Sequence, residues 1–392
     1  MSVVATAGPP SIDRRRTILF LTSRLGMGGA ERHTITLANL LSDRFRIVFA
    51  YLKPDEDMID ALDRQSLLEL RCLHVRKRFD MRAARELAEM ARTHGADLIV
   101  CANAFALLYA HLARAVSRQP LSTIEVFHTT ILRTLKEQLE MVFYRPVFWV
   151  SHHVVFVCKA QRRYWLKRGL WGRQVHMVYN GVDTNHFAPL DDEASSHMRA
   201  ALGFGPDDRI VGICAVLRPE KAHDALLSAV AQLRDRGQRW KIVLIGDGPL
   251  RPAIEAHAAA LGVADCMHIT GFKADVRPYL ALCDAIALVS TSETFSIAAL
   301  EAMAMAKPMI MSDVGGAREQ VQHGQNGLLF PPGDISALAA CIEQCWDRGM
   351  VRRMGAAARH RVEQEFSQGR MIDRYAELFS ASPVRQSKCP SS

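Results

Sequence analysis

Short apolar runs of strand length alternate with amphipathic helical stretches along most of this 392-residue chain. Nearly continuous apolar strands that alternate with helices indicate parallel sheets covered by helices on both faces. The ten runs are TILFLTS (17–23), RIVFAYL (46–52), DLIVCAN (97–103), STIEVFH (122–128), HVVFVCK (153–159), RIVGICAVL (209–217), KIVLIGDG (241–248), CMHITGF (266–272), AIALVS (285–290) and KPMIMSD (307–313). The sequence therefore predicts an α/β protein built on Rossmann-like parallel sheets.

Ten strand–helix units are more than one α/β domain usually holds, so we expect two domains. Turn formers and acids cluster in VYNGVDTNHFAPLDDE (178–193), which favours a boundary there. The predicted division is a loose tail at 1–16, a first domain at 17–188, a second domain at 189–372, and a final segment at 373–392. Ligands bind beyond the carboxyl ends of parallel strands, so facing domains would form a cleft with a binding edge on each wall.

The composition is that of a globular protein, with 49% apolar and 23% charged residues. No apolar run approaches the roughly 20 residues that span a bilayer, and the early run at 18–21 is too short for a signal peptide. A cytoplasmic location is expected. Nine cysteines without C-x-x-C spacing indicate reduced core thiols, and Cys341 and Cys345 lack the nearby His pair that a zinc site would need.

The net charge of +8 is concentrated in the first 190 residues, which carry 27 Lys and Arg against 17 Asp and Glu. The basic residues cluster in RCLHVRKRFDMRAAR (71–85) and KAQRRYWLKRGLWGR (159–173). Such stretches suit an anionic membrane or phosphorylated partners, and the aromatic residues of the second stretch suit a headgroup layer. A solvated helix face is the alternative. No recognised nucleic-acid-binding module accompanies the charge, so no nucleic-acid partner is expected.

Two features of the first half suggest a ligand. Gly28 and Gly29 lie between a strand and a helix, where backbone can approach an anion closely; a tight turn is the alternative. The spacing matches neither the dinucleotide fingerprint nor the P-loop. His128 ends the strand STIEVFH, where α/β sites collect their residues, although a lone histidine can also be structural.

In the second half, Arg218 and Lys221 follow a strand, and two cations there would neutralise a diphosphate. A solvated loop is the alternative. The strand-ending turns IGDGPL and GFKADV, with Gly246 and Lys273, would line the same sheet edge.

The segment SETFSIAALEAMA (292–304) holds two glutamates in a small, apolar setting. Thr294 is predicted to cap the helix, which leaves Glu293 in the preceding loop. Glu301 would then be buried in the helix, at a cost of several kcal/mol unless it is hydrogen-bonded, and a ribose diol would supply two donors. The N–H groups at the helix start would be available to phosphate. They belong to Phe295, Ser296 and Ile297.

Together these segments resemble family 4 of the GT-B glycosyltransferases, from about residue 17 to residue 375. The motifs that carry the resemblance are GMGGAER, VYNGVD, RPEK, IGDGP, SETFSIAALEAMA and SDVGGAREQVQHGQNGLLFPPGD. The resemblance implies the two-domain GT-B fold, with a C-terminal helix that crosses back to the first domain. It also implies a nucleotide-sugar donor, retention of anomeric configuration, and no metal or other cofactor.

The resemblance assigns roles to the candidate residues. Glu293 and Glu301 match the family's E-x7-E pair, of which the first lies by the donor sugar and the second holds the ribose. Lys221 and a nearby arginine would grip the diphosphate, and His128 matches the histidine beside the transferred sugar. Gly28 and Gly29 would approach the phosphate from the other wall of the cleft.

Two positions depart from the family pattern. The family's arginine falls at Val216, and Arg218, two residues on, would point to the same side of an extended strand. The family commonly has glycine where this chain has Ala306.

The sequence thus predicts a retaining, metal-independent transfer of a hexosyl group, from a UDP-sugar in preference, to a saccharide or lipid-linked saccharide in polysaccharide or glycolipid synthesis. A non-catalytic sugar-nucleotide-binding or membrane-associated scaffold is the alternative function. A metal-dependent Asp-x-Asp transferase through residues 55–57 is disfavoured by the architecture, and an epimerase or phosphorylase lacks this E-x7-E setting. Contact with the inner face of an anionic membrane is a further expectation.

Overall fold

The computed structural model describes residues 15–26, 28–129, 132 and 134–382, without the side chains of residues 192 and 194. Most of the predicted tail at 1–16 therefore lies outside the described residues. Its last residue is held in place, because the Arg16 guanidinium donates to Asp97 Oδ1 at 2.7 Å.

The described chain alternates strands and helices almost throughout. The strands are β1 (Thr17–Thr22), β2 (Arg46–Tyr51), β3 (Leu67–Cys72), β4 (Leu98–Cys101), β5 (Ser122–Phe127), β6 (His153–Phe156), β7 (Gln174–Met177), β8 (Arg209–Cys214), β9 (Trp240–Ile245), β10 (Met267–Ile269), β11 (Ala285–Leu288), β12 (Met309–Ser312) and β13 (Gly327–Phe330). The helices are α1 (Gly29–Leu41), α2 (Met81–His94), α3 (Ala104–Val116), α4 (Leu135–Trp149), α5 (Lys159–Leu166), α6 (Asp192–Ala201), α7 (His223–Asp235), α8 (Arg251–Ala260), α9 (Arg277–Leu282), α10 (Ile297–Ala304), α11 (Ala317–Gln320), α12 (Ile335–Gln344), α13 (Arg348–Glu365) and α14 (Gln368–Ala381). Short 3-10 helices lie between some of these elements.

The strands form two sheets, one with the order β3-β2-β1-β4-β5-β6-β7 and the other with the order β10-β9-β8-β11-β12-β13. The strand pairs run parallel, as in the registers of β1 with β2 and β4, and of β8 with β9 and β11. The predicted fold class is confirmed. Strand order reverses between β1 and β4 and between β8 and β11, and the carboxyl ends at such a reversal are where open α/β sheets bind ligands.

All ten predicted strands are present, and the structure adds β3, β7 and β13. Each of the three lies at the edge of its sheet. An edge strand is covered less completely than a central one and needs a less continuous apolar run. In β3, accordingly, no residue is fully buried, and the segment LLELRC does not stand out in the sequence.

The chain divides into two compact units. The first holds the described parts of Met1–Glu125, Val150–His153 and Leu378–Ser392, and the second holds Val126–Trp149 and Val154–Glu377. In the first unit, Phe379 from the end of α14 packs edge-on against Phe20 and Phe45, with ring centroids 6.2 and 6.1 Å apart. The last turn of α14 thus belongs to the unit formed by the start of the chain, as predicted for a crossover helix.

In the second unit, alternate residues of the central strands enter two different apolar clusters. Val243 and Ile245 of β9 belong to one cluster, and Ile242 and Leu244 belong to the other. Both faces of this sheet are therefore covered, which accounts for the nearly continuous apolar runs. In the described part of the chain, no helix is both long and apolar enough to cross a bilayer.

Candidate active site

Lys221 and Glu293 meet at the strand-order reversal of the second sheet. Lys221 ends the short 3-10 helix Pro219–Lys221 after β8, and Glu293 lies in the loop after β11. Lys221 Nζ is 2.5 Å from Glu293 Oε2, and the two side chains are 23% and 21% exposed. The loops are also joined through backbone, because Thr291 N donates to the carbonyl of Glu220 at 2.9 Å. Two predicted site residues thus form one ion pair that a ligand can reach.

Glu301 lies in the second half of α10, which begins directly after the Glu293 loop. Its side chain is only 4% exposed, so the prediction of a buried acid is confirmed. The helix packs among alanine, leucine and methionine residues of the core. One acid is therefore accessible in a loop and the other is enclosed in the adjoining helix.

The start of α10 differs from the prediction. Ser296, not Thr294, is the N-cap, and its hydroxyl accepts from Ala299 N at 3.2 Å. The predicted cap at Thr294 is wrong because that hydroxyl donates instead to the carbonyl of His128, at 2.8 Å. The N–H of Ser296 is also not available, since it donates to Gln320 Oε1 at 3.2 Å. Among the three N–H groups predicted to bind phosphate, those of Phe295 and Ile297 are left for that role.

His128 follows β5 and is attached to the Glu293 loop by the Thr294 bond. Its own loop is fixed by Gln161, whose amide donates to the carbonyls of Phe127 and Thr129 at 2.8 and 2.9 Å. The residue as a whole is partly exposed, but its Nε2 atom is buried. This desolvation lowers the pKa of His128 to about 4. The structure therefore brings a neutral imidazole close in space to the glutamate loop.

Two glycines of SDVGGARE support the Glu293 loop. A Cβ on Gly315 would lie 1.9 Å from the carbonyl oxygen of Glu293, and a Cβ on Gly316 would lie 2.8 Å from that of Thr294. Gly315 also has a φ of +54°, in the left-handed region that favours glycine. Gly316 N donates to the Thr294 carbonyl at 2.8 Å. Only residues without a side chain permit this approach.

Further side chains position the site without having been predicted individually. Gln320 is fully buried, and its amide returns a bond to the Ser296 carbonyl at 2.8 Å. Asn180 donates to the Phe295 carbonyl at 3.1 Å. Both residues belong to motifs that carried the resemblance, VYNGVD and SDVGGAREQ. A residue-by-residue reading of those motifs is the signal that could have found them.

Arg218 is exposed beside this site, but it does not lie on one extended strand with Val216 as predicted. β8 ends at Cys214, and Arg218 N donates to the Val216 carbonyl at 2.9 Å, so the chain turns between the two positions. Alternation of side chains along an extended strand therefore does not apply. The substitution of Arg218 for the family's arginine stays a prediction.

Gly246 lies at the end of β9 and packs against the loop that follows β8. A Cβ there would come within 2.2 Å of the Ala215 carbonyl oxygen, so close packing already requires this glycine. Lys273 follows β10, the edge strand, and its Nζ lies 5.3 Å from the ring centroid of Tyr279. The structure thus gives these two residues structural partners, and their donor-binding roles stay predictions.

Ala306 has a φ of +55°, which accounts for the glycine that the family commonly has at this place. The local backbone keeps the left-handed conformation although a Cβ is present.

Gly28 and Gly29 lie in the first unit, at the start of α1. A Cβ on Gly28 would come within 2.2 Å of Glu31 Oε2, whereas a Cβ on Gly29 would meet no atom of the described chain within 4 Å. Packing within the described chain therefore gives no reason for glycine at position 29, where the sequence predicts a ligand.

The described residues contain no group of three or more His, Cys, Asp or Glu side chains that could hold a metal ion. In the acidic segment at 55–57, the Asp55 carbonyl accepts from Leu25 N at 2.7 Å, and Glu56 accepts from the Tyr51 hydroxyl. Burial raises the pKa of Cys341 to about 11 and that of Cys345 to about 12. These thiols behave as core residues.

Comparison with known proteins agrees with the fold. The family described as "Glycosyltransferase Family 4" matches residues 27–186, and that described as "Glycosyl transferases group 1" matches residues 208–348. EpsD of Bacillus subtilis (strain 168) is 28% identical over 306 residues, which are 76% of this chain and 80% of EpsD. The D-inositol 3-phosphate glycosyltransferase of Jonesia denitrificans is 32% identical over 207 residues, about half of each chain (50% and 48%).

Among solved structures, Anabaena HepE in complex with UDP superposes with a TM-score of 0.83. The two share 24% identity, and the match covers 93% of this chain and 99% of HepE. At that identity the likeness concerns the fold. The two family matches together span most of the sequence, and they agree with this structural likeness. The chain is a family 4 glycosyltransferase with the GT-B fold.

Proposed function

We propose that this glycosyltransferase moves a hexosyl group from a nucleoside-diphosphate sugar, a UDP-sugar in preference, to a saccharide or lipid-linked saccharide acceptor. The observation that carries the proposal is the pairing of Lys221 with Glu293 at the reversal of strand order, beside the helix that buries Glu301. The complex of HepE with UDP supports a uridine donor in a protein of the same fold.

Lys221 and Glu293 would bind different parts of the donor, the diphosphate and the sugar. An ammonium group is a compact cation that neutralises a diphosphate, and a carboxylate accepts hydrogen bonds from sugar hydroxyls. When a donor binds, the phosphate would replace Glu293 as the partner of Lys221, and Glu293 would turn to the sugar. The pair at 2.5 Å thus holds both side chains in place before binding.

Glu301 would hold the ribose. An ionised carboxylate only accepts hydrogen bonds, and the 2′- and 3′-hydroxyls of a ribose are two adjacent donors. Its position in α10 places it in the element whose amino end carries the N–H groups of Phe295 and Ile297. One helix would therefore bind ribose by a side chain and phosphate by its backbone.

His128 would contact the transferred sugar as a neutral group. With a pKa of about 4, its ring is uncharged at neutral pH, so it can exchange hydrogen bonds with a hydroxyl but adds no charge to the diphosphate site. The cationic stabilisation of the leaving diphosphate would then depend on Lys221 and on Arg218, which is exposed in the same loop.

We further propose that the reaction retains the anomeric configuration and needs no metal or other cofactor. The acceptor hydroxyl would attack C1 on the face from which the diphosphate leaves. The C1–phosphate oxygen bond breaks, the new C1–oxygen bond forms, and the hydroxyl proton passes to the leaving phosphate. The reaction would take place in the cytoplasm.

A two-stage experiment tests the proposal. Thermal unfolding with UDP, GDP or ADP identifies the base, and sugars of that nucleotide are then assayed for transfer in EDTA, with the product anomer read by NMR. We expect UDP to stabilise the protein most and transfer to continue in EDTA with a retained anomer. Nucleotide binding without transfer to any saccharide tested would instead favour the scaffold alternative, and loss of transfer in EDTA would contradict metal independence.

A further inference from the structure

Helix α4 carries an apolar stripe that faces solvent. Successive helical residues turn by about 100°, so its exposed apolar residues fall within a sector of about 120°. The members of this stripe are Leu135, Leu139, Val142, Phe143, Pro146 and Trp149. Leu135 is 72% exposed and Leu139 is 62% exposed. A helix on a protein surface normally turns its apolar stripe inward, so this orientation is reversed.

The opposite side of α4 attaches the helix to the second unit. Met141 and Phe148 are buried, and they lie roughly half a turn from the exposed stripe. Phe148 packs edge-on against Phe127, with ring centroids 5.2 Å apart. The helix therefore already has a packed face, and the exposed stripe lies on its other side.

A basic, aromatic segment adjoins the end of α4. Trp149 Nε1 donates to the Gly169 carbonyl at 2.9 Å, and the Trp149 ring stacks on that of Trp171 at 5.8 Å. Trp171 is 46% exposed. The stretch 159–173 contains six Lys and Arg and no Asp or Glu. Its exposed basic residues are Lys159, Arg162, Arg163, Lys167, Arg168 and Arg173.

We propose that the α4 stripe, with Trp171 and the basic residues of 159–173, docks the protein on an anionic phospholipid bilayer. The apolar stripe would enter the acyl boundary, the tryptophans would lie at the headgroup level, and the cations would meet lipid phosphates. The positive charge of this surface favours an anionic bilayer over a second copy of this chain. A second copy would bring the same cations opposite one another, whereas an anionic surface complements them. The acids of α4, Glu137 and Glu140, lie more than about 100° from the centre of the stripe.

This inference goes beyond the proposed function, and it adds α4 to the part of the chain that contacts the membrane. The sequence pointed to two basic stretches, of which only 159–173 belongs to this surface, and it did not point to α4. Because α4 follows the His128 loop in the same unit, docking there would hold the predicted sugar-binding loop at a fixed place relative to the bilayer. A lipid-linked acceptor could then be taken directly from the membrane.

Flotation with vesicles tests the proposal without donor or acceptor, so its outcome is separate from that of any transfer assay. The full chain is mixed with vesicles of phosphatidylcholine alone or with phosphatidylglycerol added. We expect binding to the mixed vesicles only, and weaker binding as salt rises. Leu139→Glu with Val142→Glu should lower this binding at least about tenfold, because each change removes apolar burial and adds a repelled charge.

Matched variants separate the α4 surface from other causes. Leu190→Glu alters a leucine that is 37% exposed outside this surface, and it should bind as the wild type does. Arg168→Glu with Arg173→Glu should weaken binding to the anionic vesicles at least about tenfold. Thermal unfolding of each variant checks that it folds.

Three results would overturn the proposal. Binding that is lost in Arg76→Glu with Arg78→Glu, but kept in the α4 variants, would assign the contact to the first basic stretch. Absence of vesicle binding by the wild type would refute a lipid surface. A dimer in solution that the α4 variants dissociate would assign the stripe to a second copy of this chain.

Discussion

Replacing Gly315 by alanine should damage stability and catalysis together, because this glycine lies directly under the Glu293 loop. The new Cβ would be 1.9 Å from the Glu293 carbonyl oxygen, at a position where φ is +54°. The left-handed backbone alone costs an L-residue about 1–2 kcal/mol. Relieving the overlap, which involves backbone and not a flexible side chain, should add about 1–3 kcal/mol. The expected loss for Gly315→Ala is therefore about 2–5 kcal/mol.

Gly333→Ala is the matched control for this effect. Gly333 has a φ of +81°, and a Cβ there would meet no atom of the described chain within 4 Å. The Gly333→Ala variant should lose only the part of the stability that comes from the left-handed backbone, about 1–2 kcal/mol. Urea unfolding measures both losses, and donor kcat/KM should fall about a hundredfold in Gly315→Ala alone, since an ångström-scale displacement of Glu293 is enough for that. Equal stability losses in the two variants, with kcat/KM unchanged, would refute this reasoning.

Three other expectations concern single side chains. NMR of the His128 ring should show no titration between about pH 5 and pH 8, because burial lowers its pKa to about 4; an inflection near the ordinary histidine value would contradict this. Burial raises the pKa of Glu125 in the folded protein well above the ordinary glutamate value. The contribution of Glu125 to stability is therefore fully present below the ordinary pKa and is lost as the pH rises toward the raised pKa of the folded state. Over that pH range, the free energy of unfolding of Glu125→Gln, measured with urea, should accordingly rise relative to that of the wild type by up to about 1.4 kcal/mol per pH unit. A difference that does not change with pH would contradict this prediction. Ser296→Ala should lose about 1 kcal/mol through the missing cap of α10, and an unchanged unfolding midpoint would show that the cap bond contributes nothing.

Periodicity predicted the central strands well because both faces of each are buried. β8, β9 and β11 are nearly continuous apolar runs, and their order places the loops with Lys221 and Glu293 side by side. Edge strands such as β3 were missed because partial exposure relaxes the pattern. The strands that the sequence predicted were therefore mainly those with both faces buried.

Contacts between distant segments were beyond sequence reasoning. Thr294 is a good capping residue by type, yet its hydroxyl is drawn to the His128 carbonyl, 166 positions away in the chain. The orientation of the α4 stripe was equally inaccessible, because a run of leucine, valine and aromatic residues at helical spacing predicts burial. Only the packing of Phe148 on the other side of the helix shows which face remains exposed.

Calorimetric titration of UDP tests the central claim, a sugar-nucleotide site built on Glu301 and its helix, most directly. The wild type should bind UDP, and Glu301→Ala should weaken binding at least about tenfold, since two hydrogen bonds to a charged group are lost. Glu301→Gln, which preserves the shape of the buried side chain, guards against a folding defect, and Glu377→Ala alters an exposed glutamate as a control. Reduced UDP affinity is expected in both Glu301 variants, and wild-type affinity is expected in Glu377→Ala. Unchanged UDP affinity in a folded Glu301→Ala protein would contradict it.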